Sequence, residues 1–509
     1  MKLNKIIFHP IFFGLFPVIA LFESSMNFTS AFEMFLPISI ILGISISLWL
    51  TLKIILKNGE KSALIVSFCI ILFFVYGPTF FTIDNITING ADVGKHRYLL
   101  IPFFGILFFG LFYLVKTKKK LKNLTNLANV ISLIIVVVML VNITTYNLQN
   151  TSTFIQNEEF ESVNHKINNL PDIYFIILDS YPGKNSLKEV SNFDNSEFLD
   201  DLRKQGFFIQ EKSFSNYAHT YLSIPSMLNM KYLNYLGDTV GTTGDQTIPY
   251  QMGSDNQVMN FAKSLGYLTV SFDSGWGFTR DLKSADWKLC GDNQIFNSEF
   301  MITLVKNSML NPIYVKIFET DKIEQRLCIF EKIPKIKEQT NQPVFVFAHI
   351  FSPHPPYMFG PNGEIRQLNN LDPHLETKDN LDKEAFVGQL QFVNKKILDV
   401  TSKLLNSEKQ PIIIILSDHG TAFLLDGKMN NWENPTIEMI EERMETITFI
   451  FLPDVTENIF SESITPINIF RILYNYYFET DFEILEDRIY FAKNDSYDLL
   501  DVTDMLKNP

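Results

Sequence analysis

Of the eight histidines in this 509-residue chain, three sit in two short polar stretches. His349 and His354 flank Ile350-Phe351-Ser352-Pro353, and His419 lies in Ser417-Asp418-His419-Gly420. Asp418, His419 and the more distant Asp179 together offer carboxylate oxygens and an imidazole nitrogen. That donor set suits a borderline divalent ion, zinc or manganese, better than calcium, which prefers oxygen alone. Three protein ligands also leave a coordination position open for a reacting oxygen. One bound divalent metal ion is therefore expected, with Asp179, Asp418 and His419 around it. On a strand the side chains of Asp418 and His419 would diverge, and Gly420 lets the chain turn so that both reach one ion.

A hydroxyl at a helix N-terminus, activated by a metal, can attack phosphorus or sulfur. Thr220 and Ser223 lie one helical turn apart in the segment 215–228, so the residues alone leave either open for that role. The bland alternative for each is a helix cap. His349 and His354, five residues apart on a proline-rich loop, are candidates to bind a phosphate oxygen or protonate a leaving group. Proline keeps such a loop from collapsing and presets a binding surface.

These groups need a frame that brings them together. Residues 173–178, 268–272, 344–348 and 412–416 are continuous apolar runs, as strands covered on both faces require. Helical stretches intervene at 195–205, 256–265 and 383–405, and the alternation implies an α/β domain with a mostly parallel sheet. Asp179 follows the first run, Asp273 the second, His349 the third and Asp418-His419 the fourth. Open α/β sheets bind ligands beyond the carboxyl ends of their strands, so four strands deliver metal-capable groups to one edge. The helix carrying Gln389 and Asn394 is expected to be an ordinary amphipathic one rather than the lining of an acceptor groove.

Upstream the chain changes character. Residues 6–22, 34–52, 63–83, 98–115 and 124–145 are apolar runs on the scale of a hydrocarbon core about 30 Å thick. Five spans are expected, the first being the weakest because it is short and holds His9, Pro10 and Pro17. A signal peptide competes for that first run, but no small-residue cleavage pattern follows it. Lys2 and Lys5, then Lys53, Lys57 and Lys61, then the lysines of 116–122 fall on alternate loops, which makes that side cytoplasmic. Lys95 and Arg97 fall on the opposite side. Five spans that start inside end outside. The expected organisation is a transmembrane domain at 1–150, a linker at 151–170 and an extracytoplasmic catalytic domain at 171–509.

Charge and composition remove other classes. Residues 1–150 carry 12 basic and 5 acidic residues, and 151–509 carry 31 and 51. The acidic half would repel a nucleic-acid backbone, so no nucleic-acid partner is expected. A chain that is 46% hydrophobic is not disordered, and three cysteines cannot build a disulfide scaffold. Cys290 and Cys328 would both lie outside the cytoplasm, where one bond between them is allowed.

In these motifs the chain resembles the alkaline phosphatase/sulfatase superfamily, and within it the membrane-bound lipoteichoic acid synthases and lipid A phosphoethanolamine transferases. The resemblance implies about five transmembrane helices followed by an alkaline phosphatase-like α/β/α domain. Thr220-Tyr221-Leu222-Ser223-Ile224-Pro225-Ser226-Met227 matches the threonine nucleophile and following Ser-x-Pro-x-Met of the phosphoethanolamine branch. By that analogy the metal is held by Asp179, Thr220, Asp418 and His419, while His354 contacts the transferred phosphate. Two features depart from the relatives. Met227 stands where formylglycine sulfatases carry arginine, and no histidine follows His419.

The function this implies is a metal-dependent phosphotransferase of the cell envelope, embedded in the plasma (inner) membrane. Thr220 would take a phosphoethanolamine or phosphoglycerol group from a phospholipid donor and pass it to a glycan or lipid acceptor, with His349 and His354 on the substrate. The acidic outer half favours a zwitterionic donor such as phosphatidylethanolamine, unless the metal and Lys184 offset its charge. A phosphate or sulfate ester hydrolase on the same scaffold is the alternative. A non-catalytic binding module would be expected to lack a ligand or the nucleophile, and all are present.

Overall fold

The computed structural model describes residues 6–26, 29, 31–83, 87–88, 91–92, 95–149, 170–240, 244–291, 299–366, 382–426, 431–455, 459–461, 464–493 and 497–507. The chain divides into two compact units, Met1–Thr153 with Asp292–Phe318, and Phe154–Gly291 with Glu319–Pro509. Apart from Leu170, the expected linker lies outside the described residues.

The first unit is built on five helices, α1 (His9–Ser25), α2 (Phe35–Leu56), α3 (Gly59–Ile83), α4 (His96–Lys116) and α5 (Lys122–Gln149). Four of the five expected spans are long and apolar enough to cross a membrane, and the first is a shorter helix of 17 residues. Side chains such as Ile54, Ile101 and Phe109 are more than two-thirds exposed, which suits lipid and not water. The short α1 is tied in by polar groups. Asn129 of α5 accepts from the N–H groups of Phe8 and His9, and His9 Nδ1 lies 2.6 Å from Ser67 Oγ of α3. Asn129 thus satisfies donors that an α-helix start leaves unpaired.

A segment from the middle of the chain also belongs to this unit. The sequence placed 292–318 inside the soluble domain. Instead the helix Glu299–Lys306 packs Phe300, Met301 and Leu304 against Val18 and Phe22 of α1, among Leu36, Phe74 and Ile143. Met309 N–H closes on the carbonyl of Phe73, and Gly77 leaves room for the backbone of Asn307.

The second unit is a seven-stranded sheet with helices on both faces. Its strands are β1 (Ile173–Leu178), β2 (Phe208–Phe214), β3 (Leu268–Phe272), β4 (Trp287–Leu289), β5 (Val344–Ile350), β6 (Ile412–Leu416) and β7 (Glu445–Phe451). They lie in the order β2-β7-β6-β1-β5-β3-β4, and β7 alone runs opposite to the other six. The helices used below are α6 (Thr220–Asn229), α7 (Asn311–Lys332, whose residues from Glu319 on belong to this unit), α8 (Lys383–Leu405) and α9 (Ile437–Met444).

Period-two alternation divides the apolar strands between two cores. Tyr174, Ile176 and Leu178 face the side covered by Phe386, Leu390 and Val393 of α8. Ile173, Phe175, Ile177, Phe345, Phe347, Ile414 and Leu416 face the other side, covered by Ile224, Met227 and Leu228 of α6 and by the helix Ile469–Phe478. Each fully buried large side chain contributes about 1.5–3 kcal/mol. The same alternation, continued past the ends of β1 and β6 and within β5, directs Asp179, Asp418 and His349 toward the α6 face.

Candidate active site

The central strand β1 pairs in parallel with β5 on one side and β6 on the other, with Ile177 opposite both His349 and Leu416. That register fixes the site. Asp179, His349 and Asp418 are wholly buried, and each offers a ligand atom within 4.8 Å of the others. His419 joins them through Nε2, which lies 3.3 Å from Asp418 Oδ2 and 3.8 Å from Asp179 Oδ1. Asp273, the fourth strand-end group, turns instead to its own loop and accepts from Gly275 N–H at 2.7 Å.

Thr220 is the first residue of α6, with His219 at the N-cap position. Its hydroxyl is not spent on capping. Thr220 Oγ1 lies 2.9 Å from His419 Nε2, and the residue is 8% exposed. Ser223 is occupied differently, donating to the backbone carbonyl of Asp418 at 2.7 Å. Of the two hydroxyls the sequence left open, only Thr220 faces the cluster.

The donor chemistry tests whether a cation fits. His419 Nδ1 lies 2.9 Å from the carbonyl of Gly420, and a carbonyl only accepts, so Nδ1 carries the hydrogen. Burial, then Arg443, hold His419 well below its ordinary pKa, so the ring is neutral and Nε2 presents a lone pair. That lone pair faces carboxylate oxygens, and Asp418 Oδ2 is buried with no hydrogen-bond partner among the described residues. Burial and the charge of Asp179 push the Asp418 carboxyl up to about 7. Acceptors converging in a dry site without enough donors are what a divalent ion neutralises. The residues fit such an ion.

His349 is placed otherwise than expected. It was read as a substrate-binding group, but it is wholly buried in β5, with Nε2 3.0 Å from Asp179 Oδ2 and Nδ1 2.9 Å from Thr279 Oγ1. Burial holds its pKa down to about 4. The alternation from Phe345 and Phe347 carries it to the face of Asp179, a signal the strand already contained. His354 is half-buried on the loop after β5. Its N–H donates to the carbonyl of Asp179, its Nδ1 donates to the carbonyl of Pro355, and its ring centre is 6.4 Å from that of His419.

Surrounding groups hold the loops. Ser180 adopts a left-handed backbone with φ 61°, so that its N–H reaches Asp418 Oδ1 at 3.2 Å. A non-glycine residue rarely does this, and such strain persists where neighbours over-determine it. Gly420 is required for closeness, since an added Cβ would sit 2.1 Å from the carbonyl oxygen of Glu442. Arg443, missed in the sequence because it lies between strands, donates to the carbonyls of Ala218 and Gly420 and so bridges the loops of Thr220 and His419. Buried Gln389 of α8 donates to Pro353 and His354 and accepts from Met358 and Phe359, which pins the His354 loop. Asn394 accepts from Tyr181 and donates to Asn195. Lys184 pairs with Glu211 at the surface.

Residues 171–474 match the Sulfatase family. Solved structures similar to the chain include the C-terminal periplasmic domain of EcEptC from Escherichia coli, at 12% identity over 66% of this chain and 93% of that one, with a TM-score of 0.42. The integral membrane protein lipooligosaccharide phosphoethanolamine transferase A from Neisseria meningitidis is 11% identical over 87% of this chain and 88% of its own, with a TM-score of 0.38. The C-terminal periplasmic domain of phosphoethanolamine transferase EptC from Campylobacter jejuni is 13% identical over 64% and 94%, with a TM-score of 0.38. No curated protein matches the chain.

Proposed function

The chain belongs to the sulfatase family, and from that premise we propose that this membrane-anchored enzyme is a phosphotransferase of the cell envelope using Thr220 as nucleophile. One observation carries the reading. The hydroxyl of Thr220 stands at the N-terminus of α6, 2.9 Å from His419 Nε2 and facing the Asp179–Asp418 cluster. Asp179, Asp418, His419 and Thr220 would hold the ion, with His349 as a further ligand or as the group that orients Asp179. A divalent ion there supplies Lewis acidity to the threonine oxygen and to the transferred group.

Thr220 would give up its hydroxyl proton to solvent on holding the ion. Its Oγ then attacks phosphorus of a phospholipid, the bond to the diacylglycerol oxygen breaks and phospho-Thr220 forms; Oγ is later released again without its proton. His354 protonates the departing oxygen. It then takes the proton of an incoming glycan or lipid hydroxyl, which attacks phosphorus and frees Thr220. The transferred group is phosphoethanolamine or phosphoglycerol in type, and the acidic outer surface favours a zwitterionic donor. The hydrogen bonds of Gln389 to the His354 loop hold His354, whose ring centre lies 6.4 Å from that of His419, in place through both steps.

The site is proposed to lie outside the plasma (inner) membrane. The lysine-bearing loops assign one end of the bundle to the cytoplasm. The helix Glu299–Lys306 packs at the other end, near Phe22, Leu36, Phe74 and Ile143. The Cys290–Cys328 disulfide belongs to an oxidising compartment.

The test is intact-mass spectrometry of the full-length protein after incubation with mixed phospholipids and zinc or manganese, beside Thr220→Ala. An added mass on wild type alone supports the reading and identifies the group. No adduct, with neither diacylglycerol nor headgroup released, refutes it, while headgroup release without an acceptor would favour a hydrolase.

A further inference from the structure

A buried cation at this end of the sheet plays no part in the chemistry above. Arg326 of α7 is 4% exposed, comparable to Thr220 at 8%. Its Nη1 donates to the carbonyl of Pro356 at 3.2 Å, and its guanidinium lies 5.3 Å from the centre of the Phe351 ring. Phe351 in turn lies 4.5 Å from the ring of His354. Arg326 is therefore built into the loop that carries His354, and the charge of Asp179 is felt there.

Among the described residues the guanidinium is poorly satisfied. It has five N–H donors, and one carbonyl takes only one of them. Among the described residues it forms no ion pair. Burying a charge without a close counter-charge is costly, and burial holds the pKa of Arg326 down to about 10. The same loop carries a second incomplete group, since Ser352 Oγ is buried with no hydrogen-bond partner among the described residues. A rigid fork of donors matches the paired oxygens of a phosphate or sulfate group.

We propose that Arg326 is the anion-binding residue of the site, taking the non-esterified oxygens of a phosphate or sulfate ester whose reacting atom faces Thr220. The inference rests on the reading of Thr220 as nucleophile and adds the group that recognises the substrate's charge. The fold explains how a residue so far from the motifs arrives there. Cys328, two residues beyond Arg326, is bonded to Cys290 at the end of β4, and Gln325 packs on the loop after β3, where a Cβ added at Gly275 would sit 2.7 Å from its Oε1. These two ties seat α7 against the carboxyl edge of the sheet.

The experiment is calorimetric binding of inorganic phosphate, and separately of inorganic sulfate, to the zinc-loaded full-length protein in detergent. Wild type, Arg326→Met and Arg326→Lys are compared, with zinc content measured in each. Arg326→Met should weaken the preferred anion by about ten-fold or more with zinc retained, and Arg326→Lys, which keeps charge but loses the fork, by less. Preference between the two anions identifies the ester class. Unchanged affinity in Arg326→Met overturns the proposal, as does a wild type that binds neither anion. If Arg326→Met does not fold, unchanged affinity in Arg326→Lys overturns it instead. Weakening that tracks loss of zinc makes Arg326 structural and also overturns it. Binding is read without turnover, so an absent phospho-Thr220 adduct would sink the transfer reaction and leave this result standing.

Discussion

Replacing Asp418 by Asn should stabilise the metal-free protein and destabilise the metal-loaded one. Burial and the neighbouring Asp179 raise the Asp418 carboxyl from 3.8 to about 7 in the fold. A folded value above the unfolded one means that the unfolded chain releases the proton first as pH rises. The penalty is therefore absent below 3.8, grows through the interval and is complete above about 7. The gap between the two values corresponds to about 4 kcal/mol. Asn cannot ionise, keeps an oxygen for the Ser180 N–H at 3.2 Å, and turns an amide donor toward His419 Nε2, 3.3 Å from the oxygen it replaces. The assay is thermal melting of both proteins in detergent with a chelator, at pH values across that interval. The Tm advantage of Asp418→Asn should be near zero at the acid end and largest above neutrality. Added zinc should invert the order, because only wild type offers the second carboxylate. A Tm difference that stays flat with pH would refute the claim that Asp418 is a buried, cation-starved carboxyl.

Two further outcomes follow from the loops. Gly420→Ala places a methyl group 2.1 Å from the Glu442 carbonyl oxygen and 2.9 Å from that of Glu445, so the Asp418-His419 loop must move. Thermal melts should show a loss of about 3 kcal/mol, and elemental analysis a fall in bound metal. Gln389→Leu leaves the carbonyls of Pro353 and His354 and the N–H groups of Met358 and Phe359 without their partner. It should cost about 2–3 kcal/mol and lower kcat while metal content stays at the wild-type level, because no proposed metal ligand is touched.

The four central strands were legible because each is a continuous apolar run, and a sheet covered on both faces demands that pattern. The outer strands were not. β2 reads Phe-Ile-Gln-Glu-Lys-Ser-Phe, an edge sequence with polar residues that local pattern cannot separate from a loop, and β4 has three residues. The docking of 299–306 with the N-terminal helices was hidden for another reason. Its Phe300, Met301 and Leu304 are apolar enough for either core, and only tertiary contact decides between them. At the site, the residue types at strand ends pointed to Asp179, Asp418 and His419, and the fold brings His419 Nε2 to 3.8 Å from Asp179 Oδ1 and 3.3 Å from Asp418 Oδ2. Which of His349 and His354 lies inward is a question of strand length. β5 runs two residues beyond the apolar stretch, so His349 is a strand residue directed inward and His354 a loop residue.

Charge gives the site its remaining logic. Asp179 and Asp418 are buried, while the pKa values of His349 and His419 are held down and both rings are neutral. Arg326 and Arg443 are also buried, yet among the described residues each spends its hydrogen bonds on backbone carbonyls and not on these carboxylates. These two carboxylates and two guanidiniums balance in number, and among the described residues neither guanidinium hydrogen-bonds Asp179 or Asp418, so a metal ion is the cation their oxygens would take. Once a divalent ion satisfies them, the centre is positive by about the charge of that ion, and an anionic ester becomes the group that completes it. An acidic domain can then receive a phosphate or sulfate ester, because attraction inside a dry site is screened less than repulsion across an exposed surface. On this argument anion affinity should depend on the ion being present, and stripping the metal should abolish phosphate binding even with Arg326 intact.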